Sequence, residues 1–477
     1  MYQEFGLFIA GKWESSTETS ATVVSPVTEK VLGDVATATI SDTKRAIDAA
    51  ELALKKLREM GGYARADALH KIADEMAKCA NKAARMISTE TGKPLVQAER
   101  EWALSIDQFR WYAEEARRIY GRVIESRVPK GRLEVTKEAI GIVGAFTAWN
   151  FPAALPSRKI APAIAAGCSV ILRPSSQTPG VAMIIVNCIR TGALPDGAVN
   201  LVIGSTTNTY NPIMSDPRVR KVSLTGSTRV GQQMIRDAAD TVKKVSMELG
   251  GNAPCIIYDD ANLEAALDAC IPSKFGNAGQ VCVTPDRFFV HNSLHDEFVS
   301  EFAKRAATLI LGDGLNNNTE MGPLISSGRM GEVDAIVQEA ISAGAKLEVG
   351  GKPAAQFKTG HFYEPTVLSR VTDDMRVFNQ ENFGPVAAIS SFSEEDEVLV
   401  RANNSFMGLS AYAFTRSPER ARRTIATLKS GMVGINSFAL AASEAPFGGT
   451  NYSGLGREGG TEGIEDYLDT KLSQIVF

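Results

Sequence analysis

The chain has only four histidines and four tryptophans in 477 residues, and its six cysteines, Cys79, Cys168, Cys188, Cys255, Cys270 and Cys282, are scattered without close spacing. His70, His291, His295 and His361 form no ligand pattern with those thiols, which argues against a metal site. Unclustered cysteines in so long a chain argue against a disulfide framework and for reduced thiols in a cytoplasm. A surplus of charge is missing too: 51 Lys plus Arg against 55 Asp plus Glu leave a net −4, with no bulk attraction for nucleic acid or anionic membrane. No stretch approaches the roughly 18 apolar residues of a membrane span, and Met1 to Gly6 has neither a basic leader nor an apolar core of signal-peptide length. What remains is a large soluble chain with room for two or three structural units, since single cores stop growing near about 250 to 300 residues.

Ala46, Ile47, Ala50, Leu54 and Leu57 place one apolar stripe on a helix from Asp42 to Met60. A second helical stretch, Tyr63 to Thr89, stops at Gly92-Lys93-Pro94. From Gly141 short apolar runs alternate with helix-length segments: Ile142 to Phe146, Val170 to Leu172, Val199 to Ile203, Val222 to Leu224 and Cys255 to Tyr258. That alternation predicts an α/β fold with a parallel sheet covered on both faces, and its return after Arg287 predicts a second α/β unit.

The chemistry concentrates in three segments. Cys282, in Asn277-Ala278-Gly279-Gln280-Val281-Cys282-Val283, offers a thiol that can attack a carbonyl carbon. Glu248, in Met247-Glu248-Leu249-Gly250-Gly251, offers a carboxylate that can activate water if its surroundings are apolar. Asn150, in Thr147-Ala148-Trp149-Asn150-Phe151-Pro152, offers a side-chain amide as oxyanion donor. Singly each has an ordinary reading, since cysteine is often a small buried hydrophobe and a lone Glu before Gly-Gly is usually a turn. Leu224-Thr225-Gly226-Ser227-Thr228-Arg229-Val230-Gly231 follows a strand and opens a helix, where backbone amides can receive a phosphate. As a bare motif it is weak.

Taken in order, Trp-Asn-Phe-Pro, Glu-Leu-Gly-Gly and Gly-Gln-x-Cys resemble the aldehyde dehydrogenase superfamily. Further matches are Phe8-Ile9-Ala10-Gly11-Lys12-Trp13, Glu381-Asn382-Phe383-Gly384-Pro385-Val386, Pro446-Phe447-Gly448-Gly449 and Ser453-Gly454-Leu455-Gly456-Arg457-Glu458, so the resemblance covers essentially the whole chain. Asn-Ala-Gly-Gln-Val-Cys and the ending from Gly463 to Lys471 look most like succinate semialdehyde and 2-oxoglutarate semialdehyde dehydrogenases. The resemblance implies a Rossmann-type cofactor domain (residues 1–119 and 140–248), an α/β catalytic domain (249–448) and a β oligomerisation arm (120–139 and 463–477) that pairs across subunits of a homodimer or homotetramer. It implies oxidation of a small-molecule aldehyde to its acid through a thioester on Cys282, with Asn150 holding the oxyanion, Glu248 activating water, and Lys159 and Glu458 supporting the proton path. It also places Trp149 and Ser227 beside the pyrophosphate and Glu381 on the nicotinamide ribose. Thr147, Ala148, Arg173, Ser175, Ser176, Gly204, Gly226, Val230, Leu249 and Phe383 are assigned to the same nucleotide site.

Two departures bear on cofactor and substrate. Where the family usually reads Lys-Pro-Ala/Ser-Glu, this chain reads Arg173-Pro174-Ser175-Ser176; the missing carboxylate and the added guanidinium favour NADP slightly over NAD. The alternative is an Arg173 that caps a strand and a Ser176 that fills a turn. Succinate semialdehyde dehydrogenases typically clamp a distal carboxylate with two Arg and a Ser. Here Arg158 keeps the first, Gly276 stands at the second, and Ala441-Ala442 stand at the Ser. Space near Phe151, Val281, Val283 and Phe447 then favours an acidic aldehyde longer or bulkier than four carbons, with aromatic or aliphatic aldehydes as the alternative. A CoA-acylating relative typically lacks the Glu at position 248, a non-catalytic protein would be free to lose Cys282, and a thiol hydrolase would not need Ser227 and Glu381.

Overall fold

The computed structural model describes residue 2 and residues 5–15 and 20–477; Met1, Gln3 and Glu4, part of the N-terminal segment read for a leader, lie outside the described residues. Two α/β sheets dominate. The first is built on five parallel strands in the spatial order Val199–Leu201, Ser169–Arg173, Ile142–Phe146, Val219–Thr225, Lys244–Glu248. Numbered along the chain this is third, second, first, fourth, fifth, the order of a doubly wound nucleotide-binding sheet, with its switch point between Ile142–Phe146 and Val219–Thr225. Both strands are rich in buried residues because helices cover both faces. Antiparallel edges, missed in the sequence, complete it: Leu7–Ile9 with Lys12–Glu14 on one side, Gly454–Leu455 on the other.

The second sheet runs Lys346–Val349, Thr366–Ser369, Val386–Phe392, Pro285–His291, Ala253–Ile257, Ser410–Phe414, Met432–Ile435, parallel except for its first member. Glu248 is the last residue of a strand in the first sheet and Ala253 the first of a strand in the second. The Leu-Gly-Gly-Asn between them therefore crosses from sheet to sheet, and Glu248 stands at a strand end rather than in the turn that is the ordinary alternative for such a Glu. A separate three-stranded antiparallel sheet joins Arg122–Glu125, Gly131–Ala139 and Leu468–Val476, so the two segments assigned to an arm pair with each other inside one chain.

The helix expected over Asp42 to Met60 spans Ile40–Glu59, with Ala46, Ile47, Ala50 and Leu57 buried and Leu54 half-buried. The single helix expected from Tyr63 to Thr89 is two, Gly61–Lys78 and Ala80–Thr91. The Met76 carbonyl, which would accept from residue 80, instead accepts from the Trp102 indole N–H at 2.9 Å and the Cys79 thiol at 3.4 Å. Only the fold brings Trp102 there, so no local signal marks the break. The stop at Gly92 is as read, a left-handed cap with φ of 75°. Among the described residues no helix is long and apolar enough to cross a membrane.

Candidate active site

Cys282 lies on the loop between the helix Leu263–Phe275 and the strand Pro285–His291. The approach to it is unusual: Asn277, Ala278 and Gly279 all have positive φ, of 50°, 53° and 70°. For Asn and Ala this left-handed backbone is disfavoured, so tertiary bonds must hold it. They do. Gln97 Oε1 accepts from the Asn277 N–H at 2.9 Å, Asn277 Nδ2 donates to the Gln280 carbonyl at 3.2 Å, and Gln280 Oε1 accepts from the Ile325 N–H at 2.9 Å. On the far side, a Cβ on Gly251 would stand 2.3 Å from the Cys282 carbonyl oxygen, so only glycine lets the sheet-crossing segment pass. Burial, then the charges of Glu381 and Glu248, push the Cys282 thiol up to about 12, while Arg158 pulls the other way.

Asn150 lies in the turn between the strand Ile142–Phe146 and the helix Ala154–Ala166 and is buried. Its Nδ2 donates to the Gln280 carbonyl at 3.1 Å, two residues before the thiol. One of its two amide protons is thereby used, and the other is left for an oxyanion. The backbone is pinned by Lys93, whose Nζ donates to the Asn150 carbonyl at 2.9 Å, pairs with buried Glu101, and sits 3.9 Å above the Phe151 ring. Glu101 in turn accepts from the Ala153 N–H at 2.8 Å, at the start of the helix Ala154–Ala166. Neither Lys93 nor Glu101 was singled out in the sequence, because nothing local to either shows that it meets Asn150.

Glu248 is 4 % exposed, and its Oε2 has no hydrogen-bond partner among the described residues. Gly448 leaves room for it: a Cβ there would stand 2.8 Å from the Glu248 Oε1. Burial and the nearby Glu458 charge hold the Glu248 carboxyl well above the usual carboxylate range, against Lys159, Arg158 and Arg457. Glu458 arrives because Gly454–Leu455 joins the edge of the first sheet beside Met247 and Glu248, and because Phe447 and Glu458 exchange backbone hydrogen bonds. It pairs with Lys159, which is fully buried and also donates to Ser223 Oγ at 2.9 Å. The two charges assigned to a proton path from the family pattern are thus one buried pair next to Glu248, not solvated helix ends.

A cavity of about 670 Å³ opens at the switch point of the first sheet, lined among others by Thr147, Ala148, Arg173, Ser175, Gly226, Ser227 and Val230. Ser227 caps the helix Thr228–Ala239 by accepting from the Val230 N–H at 3.4 Å. Thr147 Oγ1 and Arg173 Nε are buried without hydrogen-bond partners among the described residues, while Arg173 Nη2 donates to the Gly204 carbonyl at 3.0 Å. The lining holds three cations, Arg173, Arg229 and Arg236, and no carboxylate, which fits a phosphorylated nucleotide. Arg229, Arg236, Thr206 and Tyr210 were missed; Arg229, two residues after Ser227 in the phosphate-type turn, was the one with a usable signal. Ser176, next to Ser175, lines an adjoining cavity with Gln177, Ser326 and His361, where the chain turns toward the helix Pro179–Ile189. Trp149 meets Phe383 edge to face at 5.7 Å, Glu381 Oε1 accepts from the Gly251 N–H at 3.0 Å, and Leu249 packs against Gly231. Burial pushes the Glu381 carboxyl up to about 7.

Phe151, Gly276, Val281 and Val283 line a second cavity, of about 340 Å³, together with Gln97, Arg100, Leu104, Tyr412 and Phe438. Arg158 is 4 % exposed, lies 4.3 Å over the Phe447 ring, and leaves its Nε and Nη2 without hydrogen-bond partners among the described residues. Cys282 and Val283 pack against the small apolar cluster of Leu409, Met432 and Phe447. Ala441, expected to shape this space, is exposed and outside the lining, while buried Ser443 is bonded to Gln108 Nε2 at 3.1 Å. Among the described residues no group of three or more His, Cys, Asp or Glu is placed to hold a metal ion.

A thiol on a strained loop, an amide beside it, a buried carboxyl across from it and a nucleotide-sized cavity at a sheet switch point define a cysteine-dependent dehydrogenase. The aldehyde dehydrogenase family model matches residues 13–473, and the chain belongs to that family. It is therefore an oxidoreductase acting on the aldehyde group of its substrate. It is 43% identical to the 3-sulfolactaldehyde dehydrogenase of Pseudomonas putida, over 97% of this chain and 95% of the relative, and 40% identical to the glutarate-semialdehyde dehydrogenase of Pseudomonas putida, over 97% and 96%. The crystal structure of an Escherichia coli NADP-dependent enzyme superposes with a TM-score of 0.97 at 39% identity, covering 99% of this chain and 98% of that one.

Proposed function

We propose that the protein oxidises a semialdehyde or related aldehyde bearing a distal carboxylate or sulfonate, through a thioester on Cys282, with NADP taken at least as well as NAD. The observation that carries the substrate reading is Arg158: a buried guanidinium with two unpartnered nitrogens costs several kcal/mol unless an anion completes it. The relatives from Pseudomonas putida, which by their names act on a sulfonated aldehyde and on the semialdehyde of a dicarboxylic acid, support it. NAD or NADP supplies the hydride acceptor when bound.

In this reading Cys282 Sγ attacks the carbonyl carbon, and the free amide proton of Asn150 and the Cys282 backbone N–H hold the oxyanion. After oxidation to the thioester, Glu248 takes a proton from water, whose oxygen displaces the thiolate and releases the acid. The Glu458–Lys159 pair sets the charge against which Glu248 titrates. Residues 1–119 and 140–248 serve as cofactor domain and 249–448 as catalytic domain. Residues 120–139 and 463–477 serve as an arm whose exposed edge, with Val123, Leu472 and Val476, pairs across subunits in the cytoplasm.

The substrate reading is tested by an aldehyde panel on wild type and Arg158→Ala. Loss of the anion partner is expected to lower kcat/KM for acidic aldehydes roughly ten- to hundred-fold relative to neutral ones, at about 1.5 to 3 kcal/mol per charged hydrogen bond. Equal losses on both kinds of aldehyde would end the acidic-substrate reading. For the cofactor, Arg173→Ala is expected to lower the NADP to NAD ratio of kcat/KM about ten-fold, because the orphaned Nε lies in a cavity without carboxylates. A strong wild-type preference for NAD, unchanged by the substitution, would refute it.

A further inference from the structure

Gly276 leaves the cavity before the Cys282 loop without the guanidinium that would complete a two-cation clamp, and the opposite wall carries one. The charged side chains of the lining are Lys93, Arg100 and Glu101. Lys93 and Glu101 are buried and neutralise each other. Arg100, exposed at the mouth, makes no ion pair or hydrogen bond with any other described residue and is therefore the uncompensated charge of the cavity. Gln97, Arg100 and Leu104 are spaced three and four apart on the helix Leu95–Ala116, so they present one face. That face looks toward Gly276: the first atom a Cβ there would meet is Gln97 Oε1, at 4.0 Å, and otherwise the space is open.

We infer that Arg100 is a specificity-determining residue that receives the distal carboxylate or sulfonate of aldehydes longer than four carbons, from the wall opposite the vacant Gly276 position. The inference rests on the acidic-aldehyde reading. Arg158 lies deep, beside Phe447 and within electrostatic reach of Cys282, and suits an anion close to the reacting carbon. Arg100 stands on the exposed wall of the cavity that Val281 and Val283, the chain neighbours of Cys282, help to line, where a longer chain carries its charge. An exposed cation there also draws anions into the mouth, an effect that salt screens.

The test is steady-state kinetics of wild type, Arg100→Ala and Arg100→Lys with succinate, glutarate and adipate semialdehydes, and pentanal as neutral reference. In Arg100→Ala the kcat/KM ratio of glutarate semialdehyde to pentanal is expected to fall about ten-fold, through KM rather than kcat, as an electrostatic contact at a cavity rim would. The fall is expected to be smaller with the four-carbon acid, partly restored in Arg100→Lys, and reproduced in wild type by raising the ionic strength. An unchanged ratio at every chain length, or a loss in kcat with constant KM, overturns the inference. A wild type that prefers pentanal to all three acids instead removes the acidic-aldehyde reading and this inference with it, so the two failures are told apart by which enzyme shows them.

Discussion

Cys282→Ala is expected to abolish aldehyde oxidation, by roughly 10⁴-fold or more, while the nucleotide cavity keeps its ligand. No other thiol can stand in. Cys168, Cys188, Cys255 and Cys270 are buried in the apolar cores, and Cys79 sits at a helix junction 3.6 Å from Cys188. The alanine removes the only atom able to form the thioester and leaves Asn150, Arg173 and Ser227 in place. The readout is reduced-nicotinamide absorbance, with nucleotide binding followed separately by calorimetry. Turnover by the variant at an appreciable fraction of the wild-type rate would show that the covalent route is wrong.

Glu248→Gln is expected to separate the two halves of the reaction. Acylation and hydride transfer should still give about one equivalent of reduced cofactor in a fast burst, after which hydrolysis slows roughly 10²- to 10⁴-fold for want of a base. The pH dependence follows from the environment. Because burial and Glu458 hold the Glu248 carboxyl well above its ordinary range, it is protonated at low pH and becomes an effective base only as pH rises through its raised pKa. Deacylation in the wild type therefore accelerates with pH, and in Glu248→Gln this dependence should disappear. A variant that turns over without a burst, or keeps the wild-type pH profile of deacylation, would assign the base elsewhere.

Much of the fold was legible in the sequence because the parallel strands announce themselves: Ile142–Phe146 and Ser169–Arg173 are continuous apolar runs between helix-length segments. The phosphate-type turn at Gly226-Ser227 was legible for the same reason, as a strand end followed by a capped helix. What stayed hidden was carried by partners far away in the chain. The break at Cys79 depends on Trp102, the burial of Glu458 on an edge strand only two residues long, and the posture of Asn150 on Lys93 and Glu101.

The sequence by itself determined the fold class, the chemistry of the three reactive groups and the order in which they come. Periodicity and residue type are local properties, and thiol, carboxyl and amide are what they are wherever they sit. The tertiary structure decided what those groups can do. It takes Glu248 out of water and leaves Glu458 beside it, closes a glycine-only gap against Cys282, and leaves Arg158 Nε and Nη2 and the Arg100 side chain without hydrogen-bond partners among the described residues. Burial, close approach and unpaired charge are properties of neighbours in space. They come into being only when segments hundreds of residues apart are packed together.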